Sequence, residues 1–192
     1  MKNLQLLFIS AVLIAMTGCN EQNKIKQTDK QTVFPPQLVG VWVAEKDFGV
    51  PQWGFKFEAD GTISKFRHII ADYVDNNGKP VYLEGKDPNS YAEFVFGPVE
   101  ADFDPKSKTL SVKVILKHYI MKMPAGQLQG HSDDYLSGTI SPDWNTWNAQ
   151  WIGYGWLDGA TPPDVNNPNP IAVKFKKLSG KELKRYQTSK NK

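Results

Sequence analysis

The sequence predicts an all-β protein, folded as an up-and-down antiparallel β-barrel of about eight strands. Three observations carry this expectation. From Leu38 onward, short segments alternate apolar and polar residues, the period of a half-buried strand. Turn signals such as Asp60-Gly61 and Asp75-Asn76-Asn77-Gly78 separate them at short intervals, as in sandwiches and barrels. No long segment repeats apolar residues at helical spacing. Hairpin links between consecutive strands favour a meander, and closing a meander removes the exposed edges that invite aggregation.

The elements follow in chain order. Val39, Val41 and Val43 alternate with Gly40, Trp42 and Ala44. Trp53, Phe55 and Phe57 alternate with Gly54, Lys56 and Glu58, and Asp60-Gly61 turns the chain into Thr62 to Phe66. Tyr91 to Phe96 is aromatic and alternating, and Asp104 to Lys108 is a turn. Leu110, Val112, Val114 and Leu116 then alternate with Ser111, Lys113, Ile115 and Lys117. Further strands are expected at Tyr135 to Ile140, Thr146 to Tyr154 and Ile171 to Leu178. Only Ser179 to Gln187 suits a short helix, with Ser179 as cap and Glu182 completing a capping box.

The first 33 residues read differently. Lys2 precedes an apolar run from Leu4 to Met16, broken by Gln5 and Ser10, which ends in Met16-Thr17-Gly18-Cys19-Asn20. The run is too short for a bilayer-spanning helix, which needs about 20 apolar residues. Charge, apolar run and small residues before a cysteine together resemble a bacterial lipoprotein signal peptide with its lipobox. The resemblance implies a diacylglyceryl group on the Cys19 thiol and cleavage just before it. Asn20, where an Asp would resemble an inner-membrane retention signal, favours the outer membrane. Residues 20–32 are polar apart from Ile25 and read as a flexible tether spanning roughly 20 Å. The expected organisation is a signal peptide over 1–18, lipidated Cys19 and tether over 19–33, a barrel over 34–180 and a basic tail over 181–192.

Leu38-Val39-Gly40-Val41-Trp42 resembles the Gly-x-Trp signature that opens lipocalin-like and other calycin barrels. That resemblance implies a Trp packed across one barrel end and a Gly allowing close approach at the bend. The hairpin from Phe55 to Thr62 is similar to the second and third strands of many lipocalin-like bacterial domains. Gly138-Thr139-Ile140 with Trp147 to Trp151 loosely resembles their later strands.

Composition narrows the function. Cys19 is the only cysteine, so the domain beyond it has neither disulfides nor thiolate chemistry. The net charge is +3 with both signs spread along the chain, without the basic, aromatic-interleaved face of a nucleic-acid binder. The basic concentration at Lys174, Lys176, Lys177, Lys181, Lys184, Arg185, Lys190 and Lys192 reads as a solvated strand face followed by a tail. His68, His118 and His131 show no metal-ligand spacing to one another or to a Glu and are expected to be exposed or structural. No metal and no cofactor is expected. Tyr73 to Glu84 nearly fits a calcium loop, but Tyr73 stands where an Asp belongs and Pro80 interrupts, so a hairpin loop is expected. His131-Ser132-Asp133 has triad residue types, but no Gly-x-Ser-x-Gly is present. Glu100, Asp102 and Asp104 read as an acidic stripe, and 161–170 as a long Pro/Asn loop. No catalytic residue is assigned.

The expectation is therefore a lipid-anchored, non-enzymatic binding protein of the bacterial envelope. A small apolar or amphipathic ligand would sit in a cavity lined by Trp53, Phe55, Phe57, Val112, Val114, Trp147 and Trp151. The alternative is a solid barrel whose outer surface docks an envelope protein or a glycan, as inhibitor or immunity proteins do. The competing reading of the tryptophans is that they plug the barrel, since small barrels are normally filled by side chains.

Overall fold

Alternating segments become strands because one face of each can then be buried. The computed structural model describes residues 34–45, 53–69, 71–164, 166 and 168–188, without the side chains of Asp72 and 185–188. The signal peptide, Cys19 and the tether lie outside these residues, as do two positions of the Pro/Asn loop and the last four residues.

The chain runs β1 (Gly40–Ala44), β2 (Gly54–Phe57), β3 (Ile63–His68), β4 (Ala71–Asp75), β5 (Val81–Glu84), β6 (Tyr91–Phe96), β7 (Glu100–Asp104), β8 (Thr109–Met123), β9 (Gly126–Ile140), β10 (Thr146–Leu157), β11 (Ile171–Lys177) and α1 (Gly180–Thr188). Every ladder is antiparallel, in the order β4-β3-β2-β1-β11-β10-β9-β8-β6-β5, with β7 also on β8. This is a nearly closed antiparallel barrel with one short C-terminal helix, and it has eleven strands where about eight were expected. The added strands β4, β5 and β7 are four or five residues long. The β8–β9 hairpin is also longer than expected, with 15 residues in each strand.

The barrel is drawn together at the opening by a side chain. Asn76, just after β4, donates from Nδ2 to Ile63 O (2.8 Å) and to Val99 O (3.1 Å), and its Oδ1 accepts from Val99 N (3.2 Å). One amide thereby bridges β3 to the link between β6 and β7. Phe66 and Phe96 meet edge to face beside it, at 4.9 Å.

The opening motif packs as its residues suggest. Trp42 is fully buried, and its Nε1 donates to Leu38 O at 2.9 Å. Gly40 has φ +128°, a conformation that only glycine adopts readily. Later, a Cβ on Gly138 would stand 1.9 Å from Asn148 O, so β9 and β10 can approach this closely only with glycine there.

Turn chemistry matches the sequence. At Asp60-Gly61 the Asp60 carboxylate accepts from Thr62 Oγ1 and N, which holds its pKa below the ordinary value. At the Asp104 turn, Ser107 Oγ and Lys106 N do the same for Asp104. Gly78 turns the 75–78 segment at φ +70°, in a loop between β4 and β5, so the residues resembling a calcium loop join two strands. Helix α1 forms, and Glu182 reaches back to Lys176 Nζ at 2.8 Å. Lys174 pairs with Glu45, and Lys177 Nζ donates to Gln37 O, so the basic strand face is partly paired.

Candidate functional site

Period-2 alternation sends Val112 and Val114 of β8, and Trp147, Ala149 and Trp151 of β10, to the inside of the barrel. The structure brings all seven expected cavity residues together in one core. Trp53, Phe55, Phe57, Val112, Val114 and Trp147 are at most 2% exposed, and Trp151 packs against them half-buried. They meet ring on ring: Trp53–Phe55 at 6.0 Å, Phe55–Phe57 at 6.1 Å, Phe55–Trp147 at 6.2 Å and Trp53–Trp151 at 6.0 Å. Phe175 of β11 stacks on Trp147 at 4.5 Å. Three clefts bounded by described residues lie at the surface, and of the seven only Val112 lines any of them.

One polar centre sits inside this aromatic packing. Asp134 of β9 and His68 of β3 face each other, Nε2 to Oδ2 at 3.1 Å, with side chains 2% and 4% exposed. Trp151 Nε1 donates to Asp134 Oδ1 (2.9 Å) and Ser132 Oγ to Oδ2 (3.0 Å). A buried carboxylate needs such partners, because an unpaired one costs several kcal/mol. Trp53 stands edge-on to His68 at 4.8 Å, and its buried Nε1 has no hydrogen-bond partner among the described residues. Ser, His and Asp are thus neighbours, but Ser132 and His68 both bond to the carboxylate. A nucleophilic triad needs the imidazole between serine and aspartate, so this order does not activate Ser132. The group comes from 68 and 132–134, not from His131-Ser132-Asp133, because His131 points to the opposite face of β9.

The outer face carries a different set. Glu100 and Asp102 of β7, Ser111 and Lys113 of β8, and Tyr135 and Ser137 of β9, together with Ala101, Val112 and Leu136, line an open cleft of about 540 Å³. Two cross-strand rows form its walls: Asp102–Ser111–Ser137 and Glu100–Lys113–Tyr135. Ser111 Oγ and Ser137 Oγ share a hydrogen bond at 2.8 Å, and Lys113 Nζ lies 5.8 Å from the Tyr135 ring centre. Asp104 is not part of this wall, since its carboxylate closes the following turn.

Farther along the same face, His118 of β8, His131 of β9 and Trp156 of β10 come together with Asp158. His131 Nε2 is 2.9 Å from Asp158 Oδ1, and His118 Nε2 is 3.5 Å from Oδ2. Trp156 stacks on His131 at 5.4 Å. A bulge places this group: between Leu116 and Tyr119 the β8–β9 register shifts by one, with Lys117 and His118 facing His131. The sequence reading missed this neighbourhood. Its signal was the symmetry of the hairpin, since Met123 pairs with Gly126 and Tyr119 with Gly130, a register that sets 118 against 131.

Comparison with known proteins adds no relative: no family model, no curated protein and no solved structure matches the chain.

Proposed function

We propose that this protein is a lipid-anchored, non-enzymatic binding protein of the bacterial cell envelope whose filled barrel recognises a glycan on its outer face. One observation supports the reading: the aromatic residues expected to line a cavity pack against one another, ring on ring. The exposed lining of the outer cleft is mainly apolar, with polar groups placed along its walls. It offers hydroxyls at Ser111 and Ser137, carboxylates at Glu100 and Asp102, an ammonium at Lys113 and a ring at Tyr135, the few placed polar groups of a ligand site. Its volume lies within the roughly 300–1,000 Å³ of small-ligand clefts.

The lipid anchor rests on the sequence around Cys19. Cys19→Ser should move the protein from the membrane to the soluble fraction; a protein that stays with the membrane would remove the anchor. The glycan reading is tested by titrating soluble fragments of envelope polysaccharide into the protein and its Tyr135→Ala variant. Saturable binding weakened by the variant supports it. Binding that the variant leaves unchanged, or capture of an envelope protein in place of any glycan, sinks it.

A second reading has one observation in its favour. The buried Trp53 Nε1, without a partner among the described residues and beside the His68–Asp134 pair, is a donor that the acceptor atom of an amphipathic molecule held inside the barrel would satisfy. Copurification of such a molecule would establish that reading.

A further inference from the structure

We infer that the end of the barrel carrying the β8–β9 turn docks onto a lipid bilayer surface, with the hairpin tip from Met123 to Leu128 entering the boundary between headgroups and acyl chains. This contact lies beyond the glycan reading and does not depend on acylation of Cys19. In an up-and-down sheet alternate connections lie at one end, here β3–β4, β5–β6, β8–β9 and β10–β11. Ile69 follows β3, Tyr82 and Leu83 lie near the end of β5, Met123 and Leu128 flank the β8–β9 turn, and Leu157 and Ile171 flank the β10–β11 link. These are all the exposed large apolar side chains among the described residues. The other end is polar or closed. There the Asp60, Asp104 and Asp143 carboxylates accept N–H groups of their own turns, and Phe34 and Leu38 are buried. Single exposed apolar residues scattered over a surface mean nothing, but their gathering at one end marks an interaction site.

The hairpin selects the occupant. From Met123 to Gly130 it holds no ionisable side chain, and residues 122–129 are exposed on both faces. A protein partner or a second copy would cover one face of such a ribbon, whereas a bilayer surrounds it. Lipid also requires the backbone to be paired internally. Met123 pairs with Gly126 across the two-residue turn Pro124-Ala125, and Tyr119 with Gly130 farther down. On one face Leu83, Ala92, Met121 and Leu128 form an apolar cross-strand row. On the other, Tyr82 stacks on Tyr91 at 5.5 Å, and Lys122 Nζ lies 5.9 Å from the Tyr91 ring centre. Tyrosine favours the membrane–water interface, and lysine buries its stem there while its ammonium stays among headgroups. Charges on β5, β6, their link and the upper part of β8 have both signs: Lys86, Lys117 and Lys122 with Glu84, Asp87 and Glu93. That mixture complements a zwitterionic headgroup layer better than an anionic one.

The test is photolabelling from within the lipid. The full-length protein, purified from its own host, is reconstituted with vesicles of phosphatidylethanolamine and phosphatidylcholine that carry a diazirine near the headgroup end of the acyl chain. Labelled peptides are then mapped by mass spectrometry. The expected result is label at 119–130 and 81–85 that persists in molar salt, which screens headgroup charge but leaves apolar burial intact. Met123→Asp combined with Leu128→Asp should lower the label at 119–130 at least about tenfold. Label on the N-terminal peptide should stay unchanged in that variant, which separates this contact from the Cys19 anchor. Urea unfolding of the variant should match the parent, since both side chains are exposed. Label on the N-terminal peptide alone, label at 119–130 that the variant leaves unchanged, or label lost in salt would overturn the docking. A concentration-dependent dimer that the variant dissolves, without label at 119–130, would give this end to a second copy and overturn it equally.

Discussion

Two histidine–aspartate contacts stand on opposite faces of the same sheet, and their surroundings give them different work. His68 and Asp134 are sealed among Trp53, Phe96 and Trp151. His131 and Asp158 sit outside, about one-third exposed, beside Trp156. Inside, the pair is fixed by neighbours on β3, β9 and β10 and cannot rearrange without leaving a charge unpaired. Outside, the side chains stay in contact with solvent. The same comparison holds for the aromatics: Trp147 is used up in packing, whereas Trp156 and Tyr135 keep part of their surface for contact.

Substitutions break or sharpen this contrast. The largest effect is expected from Trp147→Ala, which opens a void against Phe55 and Phe175 and should cost about 3–5 kcal/mol in urea unfolding. Asp134→Ala should cost a similar amount, about 3–5 kcal/mol, because it removes the buried acceptor that His68 Nε2 faces and to which Trp151 and Ser132 donate. A loss below about 1 kcal/mol in either variant would mean that the interior is wetter and looser than described.

Asn76→Ala removes the amide that bridges the barrel opening and leaves Val99 N and O without it. Its cost should be about 1–3 kcal/mol, with faster hydrogen exchange at Val99 as the local readout. Asp158→Asn should cost at most about 1 kcal/mol, against the several lost at Asp134. Equal losses at the two aspartates would erase the distinction between the faces.

The smallest effect concerns acid. Hydrogen bonds from Thr62 lower the pKa of Asp60, and those from Ser107 and Lys106 that of Asp104. A carboxylate with a lowered folded-state pKa contributes stability above its unfolded value, near 3.8 for both, and loses it as pH falls through the folded value. Asp104→Asn should therefore lower the neutral plateau slightly and leave stability unchanged at a pH below the folded value, which flattens the acid limb. A variant with the plateau and the acid limb both unaltered would show that the turn hydrogen bonds to Asp104 add no stability.

The all-β class was legible because alternation at Trp53–Phe57, Leu110–Leu116 and Thr146–Tyr154 is a local property of the chain, and so were the turns at Asp60-Gly61 and Asp104. Strands β4 and β5 were not, since Ala71–Asp75 and Val81–Glu84 are short and form only by pairing with neighbours. The upper β8–β9 hairpin escaped notice for a related reason. Its alternation is interrupted at the Lys117 bulge, and 122–129 is exposed on both faces, so no apolar stripe marks it. His68 and Asp134 are 66 positions apart, and no spacing rule anticipates a contact made by barrel closure. That Trp53, Phe55 and Trp147 face inward was readable, whereas their mutual contact depends on how far the barrel closes.

The most direct test of a filled interior with an outward-facing function is native mass spectrometry of the full-length protein, purified gently from the envelope of its own host. The account predicts the mass of the lipidated chain with no organic adduct retained inside the barrel. A discrete organic mass that stays bound through gentle activation, is released on denaturation and is lost in Trp53→Phe would contradict it, and would place the ligand beside the unpartnered Trp53 indole.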